Sequence, residues 1–215
     1  VVVSDVNEGV IWVHNDSGDT ARLFAMDTAG THLGTYNIDL LPRDWEDLTA
    51  GWNDELNDHV LYIGDVGDNP SIRESISVLI VPEPAVSVEQ SPEEWTIDEF
   101  SLMILTYPDG ESHNCESLAW DPMTGDLLVI TKSSDGESHV FSKSAPHEDG
   151  SETELTWLST LVFGEEPLSG STSTTASAFS PSGDQLIIRT YSDAWIWIRD
   201  GQEPIAELLE KDACN

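Results

Sequence analysis

Basic residues are scarce in this chain: 8 lysines and arginines stand against 41 aspartates and glutamates in 215 residues, a formal charge of −33. Nucleic acids and anionic membrane surfaces require basic patches, so neither is expected as a partner. Most of the acid reads as a solvated coat of the kind found on proteins from salty water, with a minority left to converge on a cation. No apolar run approaches the roughly 20 residues of a membrane span, which argues against membrane insertion. A starting methionine is also missing, Val1 standing first, as after removal of a leader or trimming. Only two cysteines occur, Cys115 and Cys214. They allow a single disulfide, expected in an exported protein (extracellular or periplasmic); two buried thiols are the other reading. The chain carries no Gly-x-Ser-x-Gly elbow, no His-Glu-x-x-His and no phosphate loop, so no known catalytic signature announces an enzyme.

What is present is repetition. Hydrophobic residues make up 39% of the chain and tryptophans number 8, which excludes a disordered acidic polymer. The stretch Glu116-Ser117-Leu118-Ala119-Trp120-Asp121-Pro122-Met123-Thr124-Gly125-Asp126-Leu127-Leu128-Val129-Ile130 reads as strand, tight turn and strand. Residues 176–188 repeat it with proline and glycine in corresponding places. Residues 1–13 form a third copy, and a fourth runs from Glu46 to Ile63 with a longer connection. Two further strands follow each hairpin: 22–26 and 33–38, 76–81 and 100–105, 139–142 and 155–161, then 195–198 and 204–209. Glu203 to Lys211 also fits a short helix, because Ile205, Leu208 and Leu209 fall at helical spacing.

Four units of four antiparallel strands predict an all-β fold, a β-propeller, in one domain. Blade-like repeats are expected at about 1–43, 44–108, 109–168 and 169–215. A β-sandwich is the rival architecture, but it does not demand repeated hairpins in one phase. Pro82 to Glu94 is expected as a surface loop between blades two and three. Val1 begins inside a first strand and Cys214 stands where a fifth blade would start, so the expectation is part of a six-bladed ring, incomplete at both ends.

The segments Trp12-Val13-His14-Asn15-Asp16-Ser17-Gly18, Asp44-Trp45-Glu46-Asp47-Leu48, Gly64-Asp65-Val66-Gly67-Asp68-Asn69 and Asn114-Cys115-Glu116-Ser117-Leu118-Ala119 resemble a family of exported bacterial β-propeller proteins of unassigned function. The resemblance implies a propeller and carries no catalytic residues with it. More distantly, the architecture and acidic loops are similar to calcium-dependent six-bladed propellers, among them lactonase-type hydrolases and propeller phytases, an analogy of fold.

In a propeller the entry of each first strand and the exit of each second strand lie at one end of the central channel. Glu46 and Glu116 occupy equivalent first-strand entries, with Thr175 in that place in the fourth blade. Asp16 and Asp65 stand at second-strand exits. These four acids, Asp16, Glu46, Asp65 and Glu116, are the expected ligands of a calcium ion, since oxygen donors without thiolates or clustered histidines suit a hard cation. Turn capping is the alternative for acids such as Asp16. His14 and His113 are the candidates for a base activating water, against a structural role. Lys132 and Arg189 could hold an anionic ligand or pair with nearby acids, and Trp45 is the tryptophan placed to meet a ligand. Trp12, Trp120, Trp195 and Trp197 are expected to pack between blades. Three functions follow in order: a binding or scaffold module for a small molecule, glycan or protein at the channel face; a calcium-dependent hydrolase of lactones or phosphoesters; and a structural unit of a surface assembly.

Overall fold

A computed structural model describes residues 1–133, 136–150, 152–164 and 172–214. In chain order the strands are β1 (Val2–Val3), β2 (Val10–His14), β3 (Arg22–Asp27), β4 (His32–Ile38), β5 (Trp45–Asn53), β6 (Asp58–Asp65), β7 (Ile76–Pro82), β8 (Glu93–Ile97), β9 (Ser101–Thr106), β10 (Cys115–Trp120), β11 (Leu127–Thr131), β12 (Glu137–Lys143), β13 (Glu152–Glu154), β14 (Thr156–Val162), β15 (Thr174–Phe179), β16 (Gln185–Thr190) and β17 (Ala194–Ile198), followed by helix α1 (Ile205–Leu208). They form four sheets, in the orders β1-β2-β3-β4-β8, β5-β6-β7-β9-β13, β10-β11-β12-β14 and β15-β16-β17. Strands β1, β5, β10 and β15 are the inner strands, and successive ones lie side by side. This is a four-bladed β-propeller arrangement. The expected boundary near 168 lies outside the described residues.

The tight turns that set the hairpin phase are built by their own side chains. In the third blade Asp121 accepts from the amide of Met123 at 3.0 Å and from the Thr124 hydroxyl at 3.0 Å. Gly125 closes that turn at φ +76°, where a Cβ would be strained.

Alternation then does the packing. Val60 and Tyr62 of β6 join Leu118, Leu127, Val129 and Phe141 in the core between blades two and three. Leu61 and Ile63, one residue out of phase, join Val10, Trp12, Leu23 and Ala25 between blades one and two. Leu128, Ile130 and Val140 meet Leu186, Ile188 and Trp197 between blades three and four. Strands β6 and β11 are therefore apolar runs buried on both faces, each such side chain contributing about 1.5–3 kcal/mol.

A buried ion pair fastens the fourth blade. Arg199 donates to both oxygens of Asp121 at 2.9 and 2.8 Å, with both side chains wholly buried. The Asp of the Asp-Pro-x-x-Gly turn thus caps its own turn and anchors the next blade.

Four expectations need correction. Blades one and two each gain a fifth strand: β8 runs parallel to β4, and β13 parallel to β9, covering outer edges that would otherwise be open. The segment from Pro82 to Glu94 is consequently not a free loop. Its Glu83 accepts from the Trp12 indole at 2.8 Å and from the Ser4 hydroxyl, and its end enters β8. Trp95 of β8 stacks on Tyr36 at 4.9 Å, over Gly34, where a side chain would collide with the indole. The fourth blade has three strands among the described residues, and its expected fourth is the helical alternative, α1, which buries Ile205 and Leu208. Finally, Cys115 and Cys214 are both free thiols. Cys115 is buried at the start of an inner strand, donating towards the carbonyls of Ser117 and Ile130, whereas Cys214 pairs through its backbone with Ile196 at the outer strand of blade four. The two lie on different layers of the fold.

Trp12 and Trp197 are buried in the inter-blade cores, and Trp120 and Trp195 pack against them, as the strand spacing requires. Trp120 lies across Gly51 of the neighbouring blade, which has no room for a side chain.

Candidate functional site

The inner strands of blades two, three and four share one irregularity. Pairing steps from Trp45–Asp65 to Asp47–Gly64, from Cys115–Thr131 to Ser117–Ile130, and from Thr174–Thr190 to Ala176–Arg189. Each step skips a residue, and the skipped residues are Glu46, Glu116 and Thr175. These are β-bulges, which kink a strand and re-aim the extra side chain. The equivalence read from the repeat is therefore a backbone feature repeated in three blades. Just past each bulge the inner strands are tied together: Asp47 accepts from the amide of Leu118 at 2.9 Å, and the Ser117 hydroxyl donates to Ser177.

Around Glu46 the acids converge. One carboxylate oxygen each of Asp16, Asp44 and Glu46 lie within 4.8 Å of one another. Glu116 hydrogen-bonds to Glu46 from the third blade. Gly67 backs the group: a side chain there would collide with the carboxylates of both Asp44 and Glu46. Two carboxylates at that separation repel by about 3 kcal/mol at an effective dielectric of about 20. Burial first, then the charges of Glu116, Asp16 and Asp44, push the Glu46 carboxyl up to about 9. Burial and the charges of Asp16, Glu116 and Asp65 likewise raise Asp44. Burial and these neighbouring charges together favour the neutral, protonated form of Glu46 over the charged one.

Of the expected ligands, Asp16, Glu46 and Glu116 come together. Asp65 does not join them. It accepts from the backbone amides of Arg43 at 2.8 Å and Asp44 at 3.1 Å and from Arg73 at 3.0 Å, a buried set that fixes the loop carrying Asp44. Its place in the cluster is taken by Asp44, which sequence reasoning noted only as a neighbour of Trp45. The alternation Asp44-Trp45-Glu46 across the bulge is the signal that could have found it.

The basic candidates divide. Lys132 pairs with Glu116 at 2.9 Å and donates to the Tyr191 hydroxyl at 3.0 Å, crossing from blade three to blade four. Burial opposes its charge, but those two bonds hold the ammonium above its usual range. Asn114 adds a donor to the same Glu116 oxygen at 3.1 Å. Arg189 is exposed on β16, and among the described residues its side chain meets the Thr190 carbonyl, at 3.4 Å.

His14 donates from Nδ1 to the Asn15 carbonyl at 2.8 Å and sets its ring against Trp45, edge to face at 6.1 Å. Burial lowers its pKa, so the ring is neutral at pH 7, with Nε2 as its remaining acceptor. His113 bonds Asp109 at 2.8 Å and contacts Tyr107, His139 and Phe141, none of them members of the acidic group. Trp45 is 3% exposed, and its indole N–H finds no partner among the described residues. It lines a cavity of about 250 Å³ together with Asn15, Asp16, Pro42 and Arg43, beside the acids.

The donor set at the cluster is all oxygen, which suits a hard cation such as calcium with water completing its shell. Asp16, Asp44 and Glu46 would hold it, with Glu116 alongside.

No family model matches the chain, and no curated protein matches it significantly. Among solved structures it is similar to an auxiliary nutrient binding protein from Bacteroides thetaiotaomicron VPI-5482. That likeness has 13% identity and a TM-score of 0.49, over 91% of this chain and 37% of the other. The chain thus spans well under half of the protein it resembles.

Proposed function

We propose that this chain is an exported, acidic propeller module that binds a small molecule or glycan at its channel rim, with a calcium ion held by Asp16, Asp44 and Glu46. The observation that carries the reading is the pair of β-bulges that direct Glu46 and Glu116, from two blades, at one point. A solvated acidic coat gives no reason to aim carboxylates together at a repulsive cost. A cation or a proton relieves that cost, and the oxygen-only donors favour calcium over softer metals. The cavity beside Trp45 offers an aromatic floor, the exposed Arg43 and the carboxylate of Asp16, a lining suited to a polar ring compound. The export assignment rests on the resemblance of the Asp-Trp-Glu-Asp-Leu and Asn-Cys-Glu-Ser-Leu-Ala segments to exported propellers.

Calorimetric titration with calcium, then with a panel of sugars and small polar metabolites in calcium or in chelator, tests the proposal. Calcium-dependent binding that weakens in Arg43→Ala is the expected result. Equal binding in chelator would remove the cation from the site.

A calcium-dependent hydrolase of lactones or phosphoesters is a second reading, and one observation favours it. His14, the last residue of β2 and two positions before Asp16, has its Nδ1 bonded to the Asn15 carbonyl and its Nε2 without a partner among the described residues. Turnover of a lactone and phosphoester panel that is lost in His14→Gln while calcium binding persists would support it; absence of turnover in saturating calcium would dismiss it.

A further inference from the structure

Of the 8 basic residues in this chain, Arg22, Arg73, Lys132, Arg199 and Lys211 pair with carboxylates. Arg43, exposed on the connection from β4 to β5, is different. Its backbone amide donates to Asp65, but its guanidinium meets no hydrogen-bond or ion-pair partner among the described residues. It lines a cavity of about 200 Å³ on the face of blade two that looks towards blade one. Strand register accounts for the space. Ile63, Leu79 and Leu102 form one cross-strand row of that face and pack on blade one. The next row on the same face is Asp65, Ser77 and Ile104, since side chains alternate along each strand. A serine thus stands where an apolar residue would carry the inter-blade core onward, and the cavity opens there.

Besides Asp65, the polar side chains on this cavity are Arg43, Arg73, Ser75 and Ser77. Asp65 is already satisfied, by the amides of Arg43 and Asp44 and by Nη1 of Arg73. Nη1 of Arg73 also donates to the Gly67 carbonyl at 2.8 Å, which leaves Nη2 without a partner among the described residues. The hydroxyls of the half-buried Ser75 and Ser77 have none there either. Two guanidiniums against one carboxylate make the lining net positive, in a chain whose total is −33. The rest of the wall is aliphatic and includes Leu41, 92% exposed, with Leu102 and Ile104. We propose that this cavity binds a short-chain aliphatic carboxylate, the charged end held by Arg43, Arg73 and the serine hydroxyls and the chain laid against Leu41, Leu102 and Ile104. Guanidinium and hydroxyl groups are the donors a carboxylate accepts from. One surplus positive charge matches a monoanion, while the surrounding acids repel a ligand of higher charge. The chain of the ligand takes Leu41 out of water. This site needs no cation and is separate from the acidic rim, although Arg43 borders both cavities.

Calorimetric titration of the 215-residue chain with sodium hexanoate, sodium butyrate and hexanol in calcium-free buffer tests the proposal. Hexanoate should bind at one site and about tenfold more tightly than butyrate, because each buried CH₂ is worth up to about fourfold in affinity. Hexanol, with the same chain and no charge, should show no saturable binding. Ser77→Leu fills the cavity and should abolish hexanoate binding. Arg43→Gln, on an exposed connection, should weaken it at least about tenfold and keeps the test open if Ser77→Leu does not fold. Ser77 lines this cavity and not the one beside Trp45, so folded Ser77→Leu should still bind calcium, which separates failure of this proposal from failure of the calcium reading. Hexanol binding as tightly as hexanoate, hexanoate binding unchanged in Arg43→Gln or in folded Ser77→Leu, or no saturable binding up to about 50 mM hexanoate would each overturn the proposal.

Discussion

Replacing Arg199 by methionine removes a guanidinium that is wholly buried and gripped by both oxygens of Asp121. What remains is a buried carboxylate with two neutral donors, the Met123 amide and the Thr124 hydroxyl. Breaking a buried pair by deleting one partner costs about 3–5 kcal/mol, against well under about 1 kcal/mol for an exposed pair. For a chain of this length each kcal/mol moves the melting temperature by about 2–4 °C, so a fall on the order of 10 °C is expected at pH 7. Asp121→Asn combined with Arg199→Met leaves no buried charge and keeps an oxygen for the turn amide, so it should recover most of the loss. Urea unfolding and calorimetry of the two variants give both numbers. A loss below about 1 kcal/mol in Arg199→Met would refute the reasoning, because it would mean water reaches the pair.

Two other outcomes are expected. His147 is buried between blades two and three, bonded to the Tyr62 hydroxyl at 3.0 Å, and burial lowers its pKa to about 4. The unfolded chain takes up the proton first, so this group's stabilisation is complete above about pH 6.5 and is lost as pH falls towards about 4, by about 3 kcal/mol at most; His147→Gln should show a smaller loss between pH 7 and pH 5 in urea unfolding, and an equal loss would reject the assignment. Alkylation without reductant should modify Cys214 alone in the folded protein and both cysteines in urea, since burial pushes the Cys115 thiol up to about 12; two modified thiols in the native mass spectrum would contradict its burial.

The propeller was legible because its information is local. An apolar strand, an Asp-Pro-x-x-Gly turn and a second strand fix hairpin phase, and phase brought Glu46, Glu116 and Thr175 into register. The fifth strands β8 and β13 were not legible, because a strand added in parallel from a distant connection leaves no turn beside it. Asp65 was misplaced for a similar reason. Its partner Arg73 lies in a separate loop, and only the folded chain shows that the pair is satisfied without a cation. A bridge between Cys115 and Cys214 requires the chain to turn back to the channel at its end, whereas α1 returns it to the outer strand of blade four.

The cation is tested most directly by thermal melts across a calcium titration after chelation, for the unmodified protein, Glu46→Gln and Glu111→Gln, the last on an exposed loop. Burial and the neighbouring acids push the Glu46 carboxyl up to about 9, which favours its neutral form without metal, so Glu46→Gln should melt close to the unmodified protein in chelator. Calcium should then raise the stability of the unmodified protein and of Glu111→Gln by about 2.7 kcal/mol at 100 times the dissociation constant, and that of Glu46→Gln by much less. Identical melting of the unmodified protein with and without calcium would contradict the account.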